Sequence, residues 1–207
     1  MENSTLIAQQ VPNAVIPCVV YVATEIPAPG CVRHHGRGDL VIGRMQASRL
    51  TDPQKTLQET AELFGSAQVP VQISPNVMVE LWSKLMINCA FNAISGLAQI
   101  QYGKLAALES VRSTQTALVK EVIAVAHADG IHLSETVALK AVEQIAVTMG
   151  SQKSSTAQDM ARSKHSEIDH LNGFIVRRGQ ALGVATPVNQ ALFALVKLVE
   201  STYPADV

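Results

Sequence analysis

Aromatic residues and net charge are both scarce in this chain, and each scarcity excludes a class of protein. Aromatic residues make up only 4% of the chain, whereas Ala, Leu, Val and Gln are abundant, which favours packed helices over a sandwich of sheets. The 16 basic and 17 acidic residues leave a formal net charge of −1. Because no strong field would hold such a chain on a phosphate backbone or an anionic membrane, we expect neither nucleic acid nor a membrane as its partner.

Cysteine is also rare, and the three cysteines, Cys18, Cys31 and Cys89, are widely spaced in apolar runs. This pattern is typical of reduced thiols packed as small hydrophobic side chains in a cytosolic protein, although a disulfide between Cys18 and Cys31 is left open. The N-terminus has no basic stretch followed by an apolar one, so it does not look like a secretory signal. Uninterrupted apolar runs fall well short of the ~20 residues of a membrane span. We therefore expect a cytoplasmic, soluble protein.

The first part of the chain, residues 1–74, alternates between strand and helix patterns. β-Branched runs between Pro and Gly residues predict strands at 15–23, 31–34, 39–42 and 69–73. Asp52-Pro53 predicts the start of a helix that runs to about Phe64, since Pro is favoured in the first turn and Gly65 follows as a stop signal. We expect a small α/β domain here.

From residue 75 to residue 207 helical patterns follow one another almost without interruption. Capping residues and glycines predict six helices, at about 75–98, 104–128, 135–149, a short one from 155, 164–182 and 187–200. The predicted fold class is therefore α+β but mainly α, with the small α/β domain of residues 1–74 preceding a six-helix domain of residues 75–207.

A narrow polar stripe crosses the first of these helices. Lys84, Asn88 and Asn92 are four residues apart and Ser95 follows three later, so all four project from one helix face. The other faces are apolar, which predicts a buried helix whose stripe lines a cavity holding polar atoms. A solvent-facing stripe is the alternative, but two Asn residues within a helix are poor helix formers and suggest a use for their side chains.

The residue types of this stripe suit a small, polar, oxidised acid. A lysine can give a proton to a carbonyl oxygen while hydride reaches the carbon, and its charge stabilises the developing alkoxide. An asparagine amide can both donate to and accept from a carboxylate or hydroxyl.

A second group of polar residues lies further along the chain. Ser155 is predicted at the start of a helix, where its hydroxyl and free backbone N–H groups could bind a carboxylate. Its alternative role is that of an ordinary N-cap. Glu167 and Asp169 lie near the predicted start of the next helix, where the helix dipole alone would favour acidic residues.

The ordered motifs of these segments resemble those of the ketopantoate reductases. The motifs are Leu81-Trp-x-Lys84-Leu-x-x-Asn88-Cys-x-x-Asn92, Ser154-Ser155-x-x-Gln158-Asp159, Ser166-Glu167-Ile168-Asp169-x-x-Asn172-Gly173 and Gly183-x-x-Thr186-Pro187-x-Asn189. Upstream, Val19-Val-Tyr-Val-Ala-Thr24 and Leu40-Val-Ile-Gly43 are similar to the strands that close the nucleotide-binding domain of that family. The resemblance implies that residues 1–74 are the end of a Rossmann-type NADP-binding domain and that residues 75–207 are the catalytic domain.

What the resemblance implies for activity is the NADPH-dependent reduction of 2-dehydropantoate to (R)-pantoate, in the pathway to pantothenate and coenzyme A. Lys84 would be the proton donor to the 2-oxo group. Asn88 and Asn92 would hold the substrate, and Ser155 would bind its carboxylate. Glu167 would lie beside Lys84 and the NADP cofactor. No metal ligand is expected.

The chain departs from the family pattern in two places. The family usually has Asn before the Gly that follows the catalytic helix, and here Tyr102 precedes Gly103, which leaves the choice among 2-oxo acids open. No Gly-x-Gly-x-x-Gly joins a strand to a helix, and Gly36-Arg-Gly38 is predicted as a hairpin turn. We expect the chain to begin after that fingerprint and, alone, to bind NADPH poorly.

Two alternatives to this reductase are carried forward. The chain could be a truncated, non-catalytic helical module that assembles with another chain, since a partial sheet would expose edges that recruit partners. It could also be a reductase of a different 2-oxo acid. A homodimer is left open as well.

Overall fold

A computed structural model of the chain describes residues 2–45 and 49–204. Within it the protein divides into two units, residues 1–81 and 82–207. This division falls inside a long helix, a few residues beyond the boundary after residue 74 that the sequence predicts. The expected mainly helical α+β fold is confirmed.

The first unit is a three-stranded sheet with two helices. Its elements are α1 (Glu2–Gln10), β1 (Cys18–Ala28), β2 (Cys31–Gly43), α2 (Pro53–Ser66) and β3 (Val71–Ser74). The sheet order is β1-β2-β3, with β1 antiparallel and β3 parallel to β2. Because parallel neighbours need a crossover, α2 completes a βαβ unit. Its start is the predicted one, since the Asp52 side chain accepts a hydrogen bond from the Lys55 N–H at 3.1 Å.

The predicted meander of short strands is wrong, because β1 and β2 form one long hairpin. Its turn lies between Ala28 and Cys31, and the Gly36-Arg-Gly38 segment is a bulge within β2 rather than a turn. Gly36 and Arg37 have φ values of 138° and 53°, a region in which glycine is favoured. A glycine-rich bulge has the same composition as a turn, so the sequence pattern could not distinguish them.

The hairpin also excludes the Cys18–Cys31 disulfide. Cys18 pairs with Ile42 at one end of the hairpin, whereas Cys31 pairs with Ala28 at the other. At ~3.3 Å per residue the two cysteines are roughly 30 Å apart along the ribbon. Both are free thiols, as is Cys89. Cys31 is exposed, contrary to the expectation of a packed side chain, and Cys89 is buried, which raises the pKa of its thiol.

The second unit is helical. The helices from the end of the first unit onward are α3 (Val77–Ala98), α4 (Tyr102–Ala106), α5 (Glu109–Ala128), α6 (Glu135–Thr148), α7 (Ser155–Met160), α8 (Asn172–Leu182) and α9 (Pro187–Glu200), with a single 3₁₀ turn at Ile168–His170. Six helices were expected, and seven α-helices are found among the described residues. A break after Ala106 separates α4 from α5, and the segment before α8 is irregular rather than helical.

The long helix α3 is the core helix. Its buried side chains include Trp82, Cys89, Phe91 and Ala93, all fully inaccessible. By length and composition alone α3 could cross a membrane, which the search for uninterrupted apolar runs did not anticipate. Its apolar character is explained by burial, because the second unit packs around it.

Candidate active site

The polar stripe of α3 is partly buried, and its burial increases toward the C-terminal end of the helix. Lys84 and Asn88 are half-buried, Asn92 is 3% exposed and Ser95 is fully buried. A stripe facing bulk solvent would show high exposure at each position, so the solvent-facing alternative is not supported. Buried amides and hydroxyls are costly without partners, and the partners of the last two residues are on α7 and α4.

The start of α7 is joined to the end of α3 by serine hydroxyls. The Ser154 N–H donates to Ser95 Oγ at 3.2 Å, and the Ser95 hydroxyl donates to the Ile100 carbonyl at 2.8 Å. The Ser154 hydroxyl donates to the Asn92 carbonyl at 3.3 Å and accepts from the Ala157 N–H at 3.0 Å. Ser154 is therefore both the N-cap of α7 and its link to the stripe.

Ser155 is therefore not the N-cap of α7, which was the alternative role considered for it. Ser155 is the first residue of α7, and its side chain is exposed. Its neighbour Ser154 has taken the capping role, so the Ser155 hydroxyl is not engaged in capping. Ser155 therefore lies next to the contact between Ser154 and Asn92, with its hydroxyl available to a ligand.

A glycine permits this close approach of α3 and α7. A Cβ added at Gly96 would lie 2.8 Å from Met160 Sδ and 2.9 Å from Thr156 Cγ2. The Gln99 side-chain amide adds hydrogen bonds to the carbonyls of Gly96 and Ala157, at 2.8 and 3.1 Å. The two helices are thus held at a distance that only glycine allows at this position.

On α4, Tyr102 also contacts the stripe. Its hydroxyl is 3.5 Å from Asn92 Oδ1, and its ring lies 4.6 Å from that of Phe91. Burial raises the pKa of the phenol to about 12. Tyr102, Asn92 and Ser154 therefore meet at one place.

Glu167 lies outside the group of hydrogen-bonded residues around Asn92. Its carboxylate is exposed at the beginning of the 3₁₀ turn and makes no capping hydrogen bond. In the part of the chain that the structure describes, the hydrogen bonds that connect Asn92 to α7 do not extend to Glu167. The preceding residue is firmly held, because the N–H and hydroxyl of Ser166 donate to Glu200 Oε1 at 2.8 and 2.6 Å.

Asp169 has a structural partner. Its carboxylate accepts from the Lys197 ammonium at 2.8 Å, and the same ammonium lies 3.1 Å from Glu200 Oε2. Lys197 thus links the 3₁₀ turn to α9, and Asp169 is accounted for by this ion pair.

A buried network of polar side chains, which the sequence reasoning did not assign, also contacts α3. The Glu121 carboxylate accepts from the backbone N–H groups of Val188 and Asn189 at 2.8 and 3.0 Å, and from Asn189 Nδ2 at 2.8 Å. Asn189 Oδ1 accepts from Asn172 Nδ2 at 3.0 Å, and this nitrogen also reaches the Cys89 carbonyl at 3.5 Å. Asn172 and Asn189 were noted as motif residues, but the participation of Glu121 gave no local signal.

Comparison with known proteins gives a consistent picture. Residues 76–200 match the family model described as ketopantoate reductase PanE/ApbA C terminal. Curated relatives called 2-dehydropantoate 2-reductase include one from Pyrobaculum aerophilum, 34% identical over 94% of this chain and 65% of the relative. Another, from Vibrio cholerae, is 35% identical over 69% of this chain and 48% of the relative. The chain thus spans about half to two thirds of the length of these relatives.

Solved structures show the same likeness. A PanE/ApbA family ketopantoate reductase from Ralstonia eutropha has a TM-score of 0.86 and 48% identity, covering 98% of this chain and 64% of that one. A D-mandelate dehydrogenase solved with NADH has a TM-score of 0.89 at 21% identity, covering 98% of this chain and 68% of that one. The second likeness, at that identity, shows a shared fold alone.

Proposed function

The chain belongs to the ketopantoate reductase family, and on that premise we propose that it provides the substrate-binding and proton-donating part of an NADPH-dependent reduction of 2-dehydropantoate to (R)-pantoate. The observation that carries the proposal is the stripe of Lys84, Asn88 and Asn92 on an otherwise apolar core helix, half-buried at Lys84 and Asn88 and buried at Asn92. Placing two amides and an ammonium on one face of such a helix costs desolvation energy, and binding of a small polar acid gives these groups a use.

In this proposal each residue has one task. Lys84 Nζ donates its proton to the 2-oxo oxygen, which becomes the hydroxyl of the product, and the neutral amine is reprotonated from water. Asn88 and Asn92 hold the substrate by hydrogen bonds, and the exposed Ser155 hydroxyl donates to its carboxylate. NADPH, when bound, supplies the hydride that reaches C2.

The fit of the nucleotide to this chain is only partial. The exposed carboxylate of Glu167 can accept hydrogen bonds from ribose hydroxyls. The Gly36-Arg-Gly38 segment lies within β2 and opens no helix, so it offers no phosphate site. Glu167 is therefore proposed as a cofactor contact, and weak binding of NADPH by this chain alone remains a prediction.

Location and assembly are part of the same proposal. We propose a cytoplasmic location and a place in pantothenate synthesis, and the likeness to curated relatives called 2-dehydropantoate 2-reductase supports both. A homodimer is proposed because a ketopantoate reductase from Staphylococcus aureus with the same fold is described as dimeric. Sedimentation velocity of the full chain tests the assembly.

The proposal is tested by titrating 2-dehydropantoate into the full chain. Trp82, the single tryptophan, is fully buried two residues before Lys84, so its fluorescence reports on α3. We expect Lys84→Ala to weaken binding by at least ~10-fold, the typical contribution of a charge-assisted hydrogen bond. In turnover with NADPH, the same change is expected to lower kcat by ~10²-fold or more.

Lys140→Ala is the matched control, since Lys140 is an exposed lysine on α6. It should leave both binding and turnover unchanged. Equal affinities of the wild-type and Lys84→Ala proteins for 2-dehydropantoate would contradict the proposed function.

A further inference from the structure

Tyr102 is a buried phenol held in place from two sides. The start of α4 is anchored by two backbone hydrogen bonds, from the Tyr102 N–H to the Gln152 carbonyl at 3.0 Å and from the Gly103 N–H to the Gly150 carbonyl at 2.9 Å. On the other side its ring packs on Phe91 of α3, tilted by 40°. With only 8% exposure, the ring has little freedom, and its hydroxyl faces the Asn92 amide.

The chemistry of this pair is directional. A phenol is protonated at neutral pH and can donate to an amide oxygen, and burial raises the pKa of Tyr102 further, to about 12. The hydroxyl is 3.5 Å from Asn92 Oδ1, a long contact of the kind that shortens when a ligand is bound. Within the ranges 2–45 and 49–204, no other group hydrogen-bonds to the Asn92 amide.

The contact with Tyr102 sets the orientation of the Asn92 amide. Because the amide oxygen is turned toward the phenol that donates to it, the NH₂ group points away from Tyr102 and is the end of the amide presented to a ligand. Without the phenol the amide could turn over and present its oxygen instead, because the two ends of an amide have nearly the same shape.

We propose that Tyr102 is a positioning residue that fixes the amide of Asn92 as a hydrogen-bond donor, so that the site selects a ligand with an acceptor oxygen at this point. The inference rests on the proposed function and deepens it, because the oxo and carboxylate oxygens of a 2-oxo acid are acceptors only. Where the resemblance leads to the expectation of an asparagine, this chain has a tyrosine that acts through Asn92.

A double-mutant cycle tests whether Tyr102 acts through Asn92. Binding of 2-dehydropantoate to the full chain is measured by calorimetry for the wild type, Tyr102→Phe, Asn92→Ala and the double variant. We expect Tyr102→Phe to weaken binding by about 5- to 10-fold, the value of one hydrogen bond. In the Asn92→Ala background the same change should have an effect of less than about twofold, because coupled residues are not additive.

The matched control is Tyr203→Phe, which removes a buried phenolic hydroxyl that has no hydrogen-bond partner among the described residues and should leave affinity unchanged. A loss from Tyr102→Phe that is equal in both backgrounds would overturn the proposal, since a merely structural role gives additive effects. So would an unchanged affinity of Tyr102→Phe.

A second measurement separates this inference from the proposed function. In protein labelled with ¹⁵N-asparagine, the side-chain NH₂ signals of Asn92 are assigned by their loss in Asn92→Ala. They should shift in Tyr102→Phe and not in Tyr203→Phe, and unshifted signals refute the contact whether or not a ligand binds. If the signals shift but the wild type binds no 2-dehydropantoate, the proposed function and the ligand selectivity fail while the contact stands.

Discussion

Removing the Glu121 carboxylate should destabilise the helical unit, because Glu121 on α5 accepts hydrogen bonds from the first turn of α9. Glu121 accepts three hydrogen bonds, two from the first turn of α9 and one from the side chain of Asn189, which is fully buried. Thr186, the N-cap of α9, makes no side-chain capping bond, so Glu121 is the cap of this helix. Loss of a cap costs ~1 kcal/mol. The buried Asn189 amide would keep only its longer contact, with the Leu118 carbonyl at 3.4 Å, and the loss of its other acceptor costs ~1–3 kcal/mol.

We therefore expect Glu121→Ala to lower the free energy of unfolding by about 2–4 kcal/mol. Urea denaturation followed by Trp82 fluorescence measures this value, because Trp82 is fully buried in the same unit. Glu143→Ala is the matched control: Glu143 is an exposed glutamate on α6, and its loss should change stability by less than ~0.5 kcal/mol. A loss under about 1 kcal/mol for Glu121→Ala would refute the capping role.

Two further predictions concern packing and pH. Gly96→Ala should destabilise the protein by ~1–2 kcal/mol, since the added methyl collides with α7 and costs more than the ~1 kcal/mol gained in helix propensity. The control is Gly65→Ala on α2, where a Cβ meets nothing within 4 Å and which should be neutral or stabilising. Thermal unfolding followed by circular dichroism measures both variants. Burial raises the pKa of Glu200, but hydrogen bonds from Ser166 and the Lys197 ammonium outweigh it, and the pKa lies below its usual 4.5. A carboxylate whose pKa is lower in the folded than in the unfolded protein stabilises the fold at pH values above the unfolded pKa, and this stabilisation is lost as the pH falls through the folded pKa. The stability difference between wild type and Glu200→Gln should therefore shrink below about pH 4.5. A stability difference that grows on acidification would contradict this prediction.

The parts of the fold that the sequence predicted are those with local signals. Asp52-Pro53 and Thr186-Pro187 predict the starts of α2 and α9 correctly, because Pro in the first turn is a property of a few neighbouring residues. The same holds for Ser134, whose hydroxyl caps α6.

The parts that were missed depend on distant residues. The segment around Ser166 was expected to be helical, but its N–H and hydroxyl are bound by Glu200, 34 residues away. Tertiary hydrogen bonds of this kind override local propensity and leave no periodic pattern. The break between α4 and α5 is a separate case: it has no glycine or proline, and the side chain of Arg112, further along the same segment, donates to the carbonyls of Ala106 and Ala107 at 2.8 and 3.0 Å.

The same distinction applies to the candidate site. The spacing of Lys84, Asn88 and Asn92 was visible because helical neighbours recur every three to four residues. The contacts of Asn92 with Tyr102 and Ser154 were not visible, since each joins separate elements. Side-chain identity thus predicted which groups the stripe contains, and only the fold supplies what surrounds them.

The hydrogen bonds to α3 explain how an apolar core helix can keep a polar stripe in register. Apolar packing is non-directional and tolerates rotation of a helix about its axis. With side-chain tips ~6 Å from the axis, a rotation of about 20° would move the stripe by ~2 Å, enough to misplace a proton donor. Asn172 contacts the Cys89 carbonyl, and Ser154 contacts both the Asn92 carbonyl and the Ser95 hydroxyl, so α3 is held by two neighbouring segments. Because hydrogen bonds are directional, these contacts resist rotation of the helix more than apolar contacts of the same area would.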